Sequence, residues 1–115
     1  MLSHTMMLRA SSEAFSYQVD LRSVTDPSVD PLLPHGSVLI EFTDAVLERR
    51  DAGTMRREVI ATLGEAGLTG AAGVIANFSM MNRIADATGM PTGRGTLART
   101  ADVRAALGLD RFMHD

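Results

Sequence analysis

The chain contains no cysteine. Disulfides, thiolate metal sites, CxxC redox chemistry and a cysteine nucleophile are excluded together by that one absence. A basic block is also missing: the 11 basic and 14 acidic residues are scattered, for a formal net charge of −3, and nothing could neutralise a run of phosphates. Nucleic acid is therefore not an expected partner. Arg9 and Glu13 come too early to leave the uninterrupted apolar core of a secretory signal, so the expected location is the cytoplasm. The longest uncharged run, residues 66–82, is a little short for a membrane span and contains Gly67, Gly70, Gly73, Asn77 and Ser79. It reads as a buried segment of a soluble protein, with no membrane partner.

What is present suits one ordinary globular domain: 115 residues, 45% of them hydrophobic. Over residues 1–22, Met6, Met7, Ala10, Ala14 and Tyr17 recur at spacings of three or four, which favours a helix. Within it "FSYQVDLR" also alternates as a strand would, with Phe15, Tyr17, Val19 and Leu21 on one side. Pro27, Pro31 and Pro34 make residues 23–35 a proline-rich linker, because each restricts the residue before it to extended backbone.

Ser37 can cap a helix running to about Arg50, with Val38, Leu39, Phe42, Val46 and Leu47 inward and Gly53 as its stop. Thr54 can cap a third helix, carrying Met55, Val59, Ile60 and Leu63 and ending at Gly67. Thr69 opens a fourth that runs to Thr88, with Gly89 and Pro91 beyond it. "PTGRGT", residues 91–96, lacks the ending and the preceding strand of a phosphate loop and reads as a flexible linker. A short helix over residues 100–107, stopped by Gly108, completes a tail spanning residues 92–115. The expected class is all-α: a compact domain of four to five helices, with residues 36–91 as its core.

The helix over residues 69–88 poses the functional question. Val74, Phe78, Met81, Ala85 and Thr88 form one stripe, and Ile75, Met80, Ile84 and Ala87 extend apolar character around most of the circumference. Such a helix is buried on more than one side, and a neighbouring subunit is a natural cover. Asn82, Arg83 and Asp86 nevertheless sit within one turn of each other. Two readings stand: a structural or interface cluster, since a buried ion must be paired, or a pocket in which Arg83 receives a small acidic ligand.

"NFSMMNRIADATGMP", preceded by "GLTGAAGVIA", resembles the last core helix of the carboxymuconolactone decarboxylase and alkylhydroperoxidase-like superfamily. The match runs through Phe78, Asn82, Arg83, Ala85, Asp86, Ala87 and Gly89, and departs at Ser79, where the family often has Asn. "VLIEFTDAVLERRDAGTMRREVIATLGEAGLTG" is similar to the helix, turn and helix that precede it. The N-terminal "LRASSEAFSYQVDLR" resembles the family's CxxC-containing segment through Leu8, Arg9, Ser11, Tyr17, Val19, Asp20 and Leu21. Phe15 and Gln18 then stand at the two cysteine positions and Arg22 at the histidine position.

The resemblance implies an all-α fold completed by oligomerisation as a homo-oligomeric trimer or hexamer, with pocket candidates Tyr17, Asp20 and Arg22: Arg22 for an anion, Asp20 as a base. The expected function is an oligomeric binding or structural domain without redox chemistry. The alternative is a small-molecule enzyme of the lactone decarboxylase type acting on an acidic metabolite, which needs acid and base groups rather than thiols. No cofactor and no metal is expected: His4, His35 and His114 are too scattered for a ligand set, and the eight methionines read as core filler. A thiol peroxidase needs one thiolate to attack the peroxide and a second thiol to resolve the sulfenic acid. The purified chain is accordingly expected to turn over no organic hydroperoxide in the presence of a dithiol reductant; measurable turnover would refute that.

Overall fold

In the computed structural model, which describes residues 2–112, there are five α-helices, two short 3-10 turns and, among the described residues, no strand. The helices are α1 (Leu2–Phe15), α2 (Gly36–Leu47), α3 (Gly53–Thr88), α4 (Arg94–Arg99) and α5 (Ala101–Leu107). The protein is therefore all-α. It divides into two compact units: the described residues up to Leu33 together with those from Pro91 onward, and Pro34–Met90. The expected linker up to Leu33, and the described part of the tail, thus share a unit with the N-terminal helix.

The first unit is built on α1 and α5. Val103, Leu107 and Leu109 are buried, and Leu2, Met6 and Leu21 pack against them. α1 ends at Phe15 because Ser16 turns into the left-handed region, at φ 56°, and Ser12 Oγ donates to the Arg9 carbonyl at 2.7 Å. The helix expected to continue to residue 22 therefore stops about two turns short. The alternating "YQVD" stretch finds no neighbouring strand to pair with and stays irregular up to a 3-10 turn at Leu21–Val24. "PTGRGT" is likewise not a linker throughout: Gly93 offers its carbonyl to the amides of Thr96 and Leu97, at 2.9 and 3.1 Å, and α4 begins there. α5 ends at Gly108, whose φ of 61° is the left-handed stop that glycine accepts without strain.

The second unit is α2 laid on the first half of α3. Phe42, Ala45, Ala52 and Val59 form its core, flanked by Val38, Met55, Leu68, Ala71 and Ile75. Burying Phe42 and Val59 contributes on the order of 1.5–3 kcal/mol each. Neither start follows the expected cap. α2 begins at Gly36 after His35, which adopts φ 58° and gives no side-chain cap, so Ser37 already lies inside the helix. At the head of α3 the Asp51 carboxylate accepts the Gly53 amide at 2.8 Å, and Thr54 Oγ1 instead accepts from Arg57 Nη2 at 3.1 Å.

The break expected between Gly67 and Thr69 lies at Gly64. There the backbone takes φ 74° and ψ 177°, and two helical stretches, 53–63 and 65–88, join in one 36-residue element. Those angles belong to a region that is essentially glycine-only. Gly67 remains helical, but a Cβ there would lie 2.4 Å from Leu63 Cβ, because the bend folds Leu63 back over it. α3 then closes with paired bonds from Gly89 N to the Asp86 carbonyl and from Met90 N to the Ala85 carbonyl, at 3.3 and 3.0 Å. Gly64→Ala is expected to destabilise this unit by about 1–3 kcal/mol, read as a lower urea midpoint with an unchanged slope. An unchanged midpoint would mean that the bend stores no requirement for glycine.

Candidate functional site

The residues singled out by sequence fall into two groups, one in each unit. In the first unit, Asp20 and Arg22 meet. Asp20 Oδ1 accepts the Arg22 backbone amide and Nε, each at 3.0 Å, and Oδ2 accepts Nη2 at 2.5 Å. The pair caps the 3-10 turn, with Asp20 as the capping residue. Tyr17 is not drawn into it: its hydroxyl donates to Ser11 Oγ at 2.9 Å.

Both charges are held in their ionised forms. The side-chain hydrogen bond from Arg22, backed by its amide, pulls the Asp20 carboxyl below its ordinary 3.8, and the same bond raises Arg22 above the usual guanidinium value. A carboxylate so engaged is a weaker proton acceptor than a free one. Arg22 still turns 70% of its side chain to solvent, but its guanidinium is already answered by a full negative charge. The arrangement is a turn-stapling pair.

In the second unit, Asn82, Arg83 and Asp86 lie on the last third of α3, and all three are exposed. The expectation that they sit in a helix buried from two sides is corrected here. α2 spans only 12 residues and covers one face of α3, so that residues 66–82 are mostly open and only 6% of the most apolar window of α3 is buried. Arg83 and Asp86 form no ion pair among the described residues. Arg83 instead lines a shallow, open depression of about 490 Å³ with Ser79, Met80, Ile84 and Ala87. Sequence reasoning placed Met80, Ile84 and Ala87 in a buried shell and did not group them with Arg83; their spacing of three and four along one face was the available signal.

Further toward its start, α3 leaves Ile60, Leu63 and Val74 partly or largely exposed; Met81 follows toward its end and Met90 just beyond it. By length and composition, α3 is long and apolar enough to cross a membrane. Among the described residues no group of three or more His, Asp or Glu is placed to hold a metal ion. His4 lies in α1 and His35 precedes α2, while His114 lies outside the described residues. Comparison of the chain with family models, with curated proteins and with solved structures returns no match.

The Asp20 shift carries a pH dependence whose sign is fixed. A folded-state pKa below the unfolded one contributes stability that is present above pH 3.8 and is lost as the pH falls through the folded value. The stability difference between the native chain and Asp20→Asn is therefore expected to be constant at neutral pH and to shrink below pH 3.8, in acid denaturation followed by circular dichroism. A difference that grows on acidification would contradict the assignment.

Proposed function

We propose that the chain is a cysteine-free, non-redox member of the carboxymuconolactone decarboxylase and alkylhydroperoxidase-like superfamily that works as an oligomeric binding or structural domain in the cytoplasm. One observation carries this reading. The helix bearing the superfamily-like residues Phe78, Asn82, Arg83, Ala85, Asp86, Ala87 and Gly89 turns Met80, Met81 and Ile84 to solvent, at 54%, 46% and 52% exposure. A contiguous apolar face of that kind marks an interaction surface. The family-like stretch and the uncovered stretch are the same piece of chain, so the residues that suggest the superfamily are also those that need a neighbour. In that setting Asn82, Arg83 and Asp86 become polar contacts at the edge of an interface between copies.

The Arg83 depression supports the second reading, a lactone decarboxylase-type enzyme for a small acidic metabolite, in which the guanidinium holds a carboxylate. The two readings part at one substitution. If Arg83 belongs to an interface, Arg83→Ala lowers the thermal midpoint or the mass in solution and leaves no saturable binding to lose. If Arg83 holds a substrate, the variant keeps fold and mass and loses saturable binding of small dicarboxylates, measured by titration calorimetry on both proteins. A variant indistinguishable from the native chain in all three respects would remove Arg83 from either role.

A further inference from the structure

We infer that Gly64 is the hinge of a domain exchange: with α3 straightened there, residues 65 onward of one copy pack on α2 of a second copy, and those of the second pack on the first. The exchange uses the inner face of α3, whose partner within the chain is α2, and it stands apart from the oligomeric reading above.

Helical phase shows what the bend does. Met55 and Val59 lie before Gly64, and Leu68, Ala71 and Ile75 after it, yet all five belong to the one core that Phe42 and Ala45 of α2 anchor. On an unbroken helix of 3.6 residues per turn, Val59 and Leu68 would point about 180° apart, Val59 and Ile75 about 160°, and Met55 and Ile75 about 200°. A straight α3 therefore cannot set both halves against its own α2. The non-helical angles of one residue, φ 74° and ψ 177° at Gly64, turn the two faces to a common side.

Two glycines are needed for the bent form alone. Gly64 takes angles that are open essentially to glycine only. At Gly67 a Cβ would stand 2.4 Å from Leu63 Cβ, whereas residues four apart on a continuous helix keep theirs about 5–6 Å apart. Straightened, α3 would be one helix of 36 residues, roughly 54 Å long, in which neither position calls for glycine. The backbone of a single residue separates the two forms, and a hinge of that kind absorbs the whole change in direction.

What a straight α3 loses in its own chain, a second copy restores. Leu68, Ala71 and Ile75, stripped from their own α2, meet the same Phe42 and Ala45 on the other copy, and the trade is reciprocal. α5 travels with the exchanged piece, so Val103, Leu107 and Leu109 meet Leu2 and Met6 of the second copy as they met those of their own chain. The core contacts of both units are thus remade between copies. The two forms differ at the hinge and in their dependence on concentration, so exchange is favoured when concentration rises or when the bend becomes harder to make.

Gly67→Ala isolates the hinge, because residue 67 is helical in both forms and the added methyl meets Leu63 only in the bent one. Gly70→Ala is its control: that residue is also helical in both forms, and a Cβ there meets nothing within 4 Å. Each chain is refolded from urea at several concentrations, its mass read by light scattering and its folding by circular dichroism. The crowded methyl is expected to lower the concentration of half-dimerisation about tenfold or more in Gly67→Ala. Gly70→Ala should match the native chain. Spin labels identify the form: with no native cysteine, Glu58→Cys and Ala76→Cys place them at two exposed sites on one side of the helix. Diluted with unlabelled chain, the labelled pair should read roughly 27 Å in the dimer, the rise of eighteen residues, and a shorter distance in the monomer.

A Gly67→Ala chain that is monomeric or unfolded at every concentration would overturn the inference, since the straight helix accommodates alanine. So would a dimer that keeps the short distance; that outcome would put the contact between bent copies and leave the oligomeric reading standing. A native monomer beside an exchanged Gly67→Ala dimer would support the inference and count against the oligomeric reading.

Discussion

Everything in the second unit depends on the contact between α2 and the first half of α3. Phe42, Ala45, Ala52 and Val59 close around each other there, and Leu68, Ala71 and Ile75 extend that contact beyond the Gly64 bend. The contact uses up what α2 has to offer. At about 1.5 Å per residue a 12-residue helix reaches roughly 18 Å, while the stretch after the bend runs about twice as far. The remainder of α3 keeps its hydrogen-bonded backbone and its apolar side chains but has no second layer from its own unit. Since domains are built from packed layers around a core, the missing layer is what a functional account has to supply.

The same limit explains how the charges are arranged. Asp20 and Arg22 are neighbours in sequence and satisfy each other locally, so that the pair secures a turn. Asn82, Arg83 and Asp86 are also close in sequence, yet Arg83 lies along the apolar outward face rather than against Asp86. An exposed pair separated by three residues gains only a few tenths of a kcal/mol on a helix, too little to hold a long side chain in one place. Those groups are left available for contacts outside the chain, and the polar character of the helix end is then compatible with either an interface or an anionic ligand.

The helical class, α2, α5 and the stops at Gly89 and Gly108 were legible because apolar spacing and a terminal glycine act within a few residues. The bend was misplaced for a local reason as well: Gly67 and Thr69 have the composition of a helix end and a helix start, but Gly64 is where the backbone takes the angles only glycine tolerates. α4 was hidden because two glycines beside Thr92 and Arg94 carry turn composition, and its few bonds come from Gly93 and its neighbours. Burial of residues 66–82 was the larger misreading. A helix that is apolar nearly all round will be covered by something, but periodicity does not say whether that cover comes from the same chain. Tyr17 and Asp20 were grouped by resemblance alone, and the hydrogen bonds separate them.

In the proposed function, the uncovered face of α3 lies against another copy of this chain. Sedimentation equilibrium of the native chain at several loading concentrations, with circular dichroism on the same samples, tests it most directly. A helical species whose mass is a multiple of 12.3 kDa and which dissociates only on dilution is expected. A well-folded, helical monomer that stays monomeric at every concentration would contradict it.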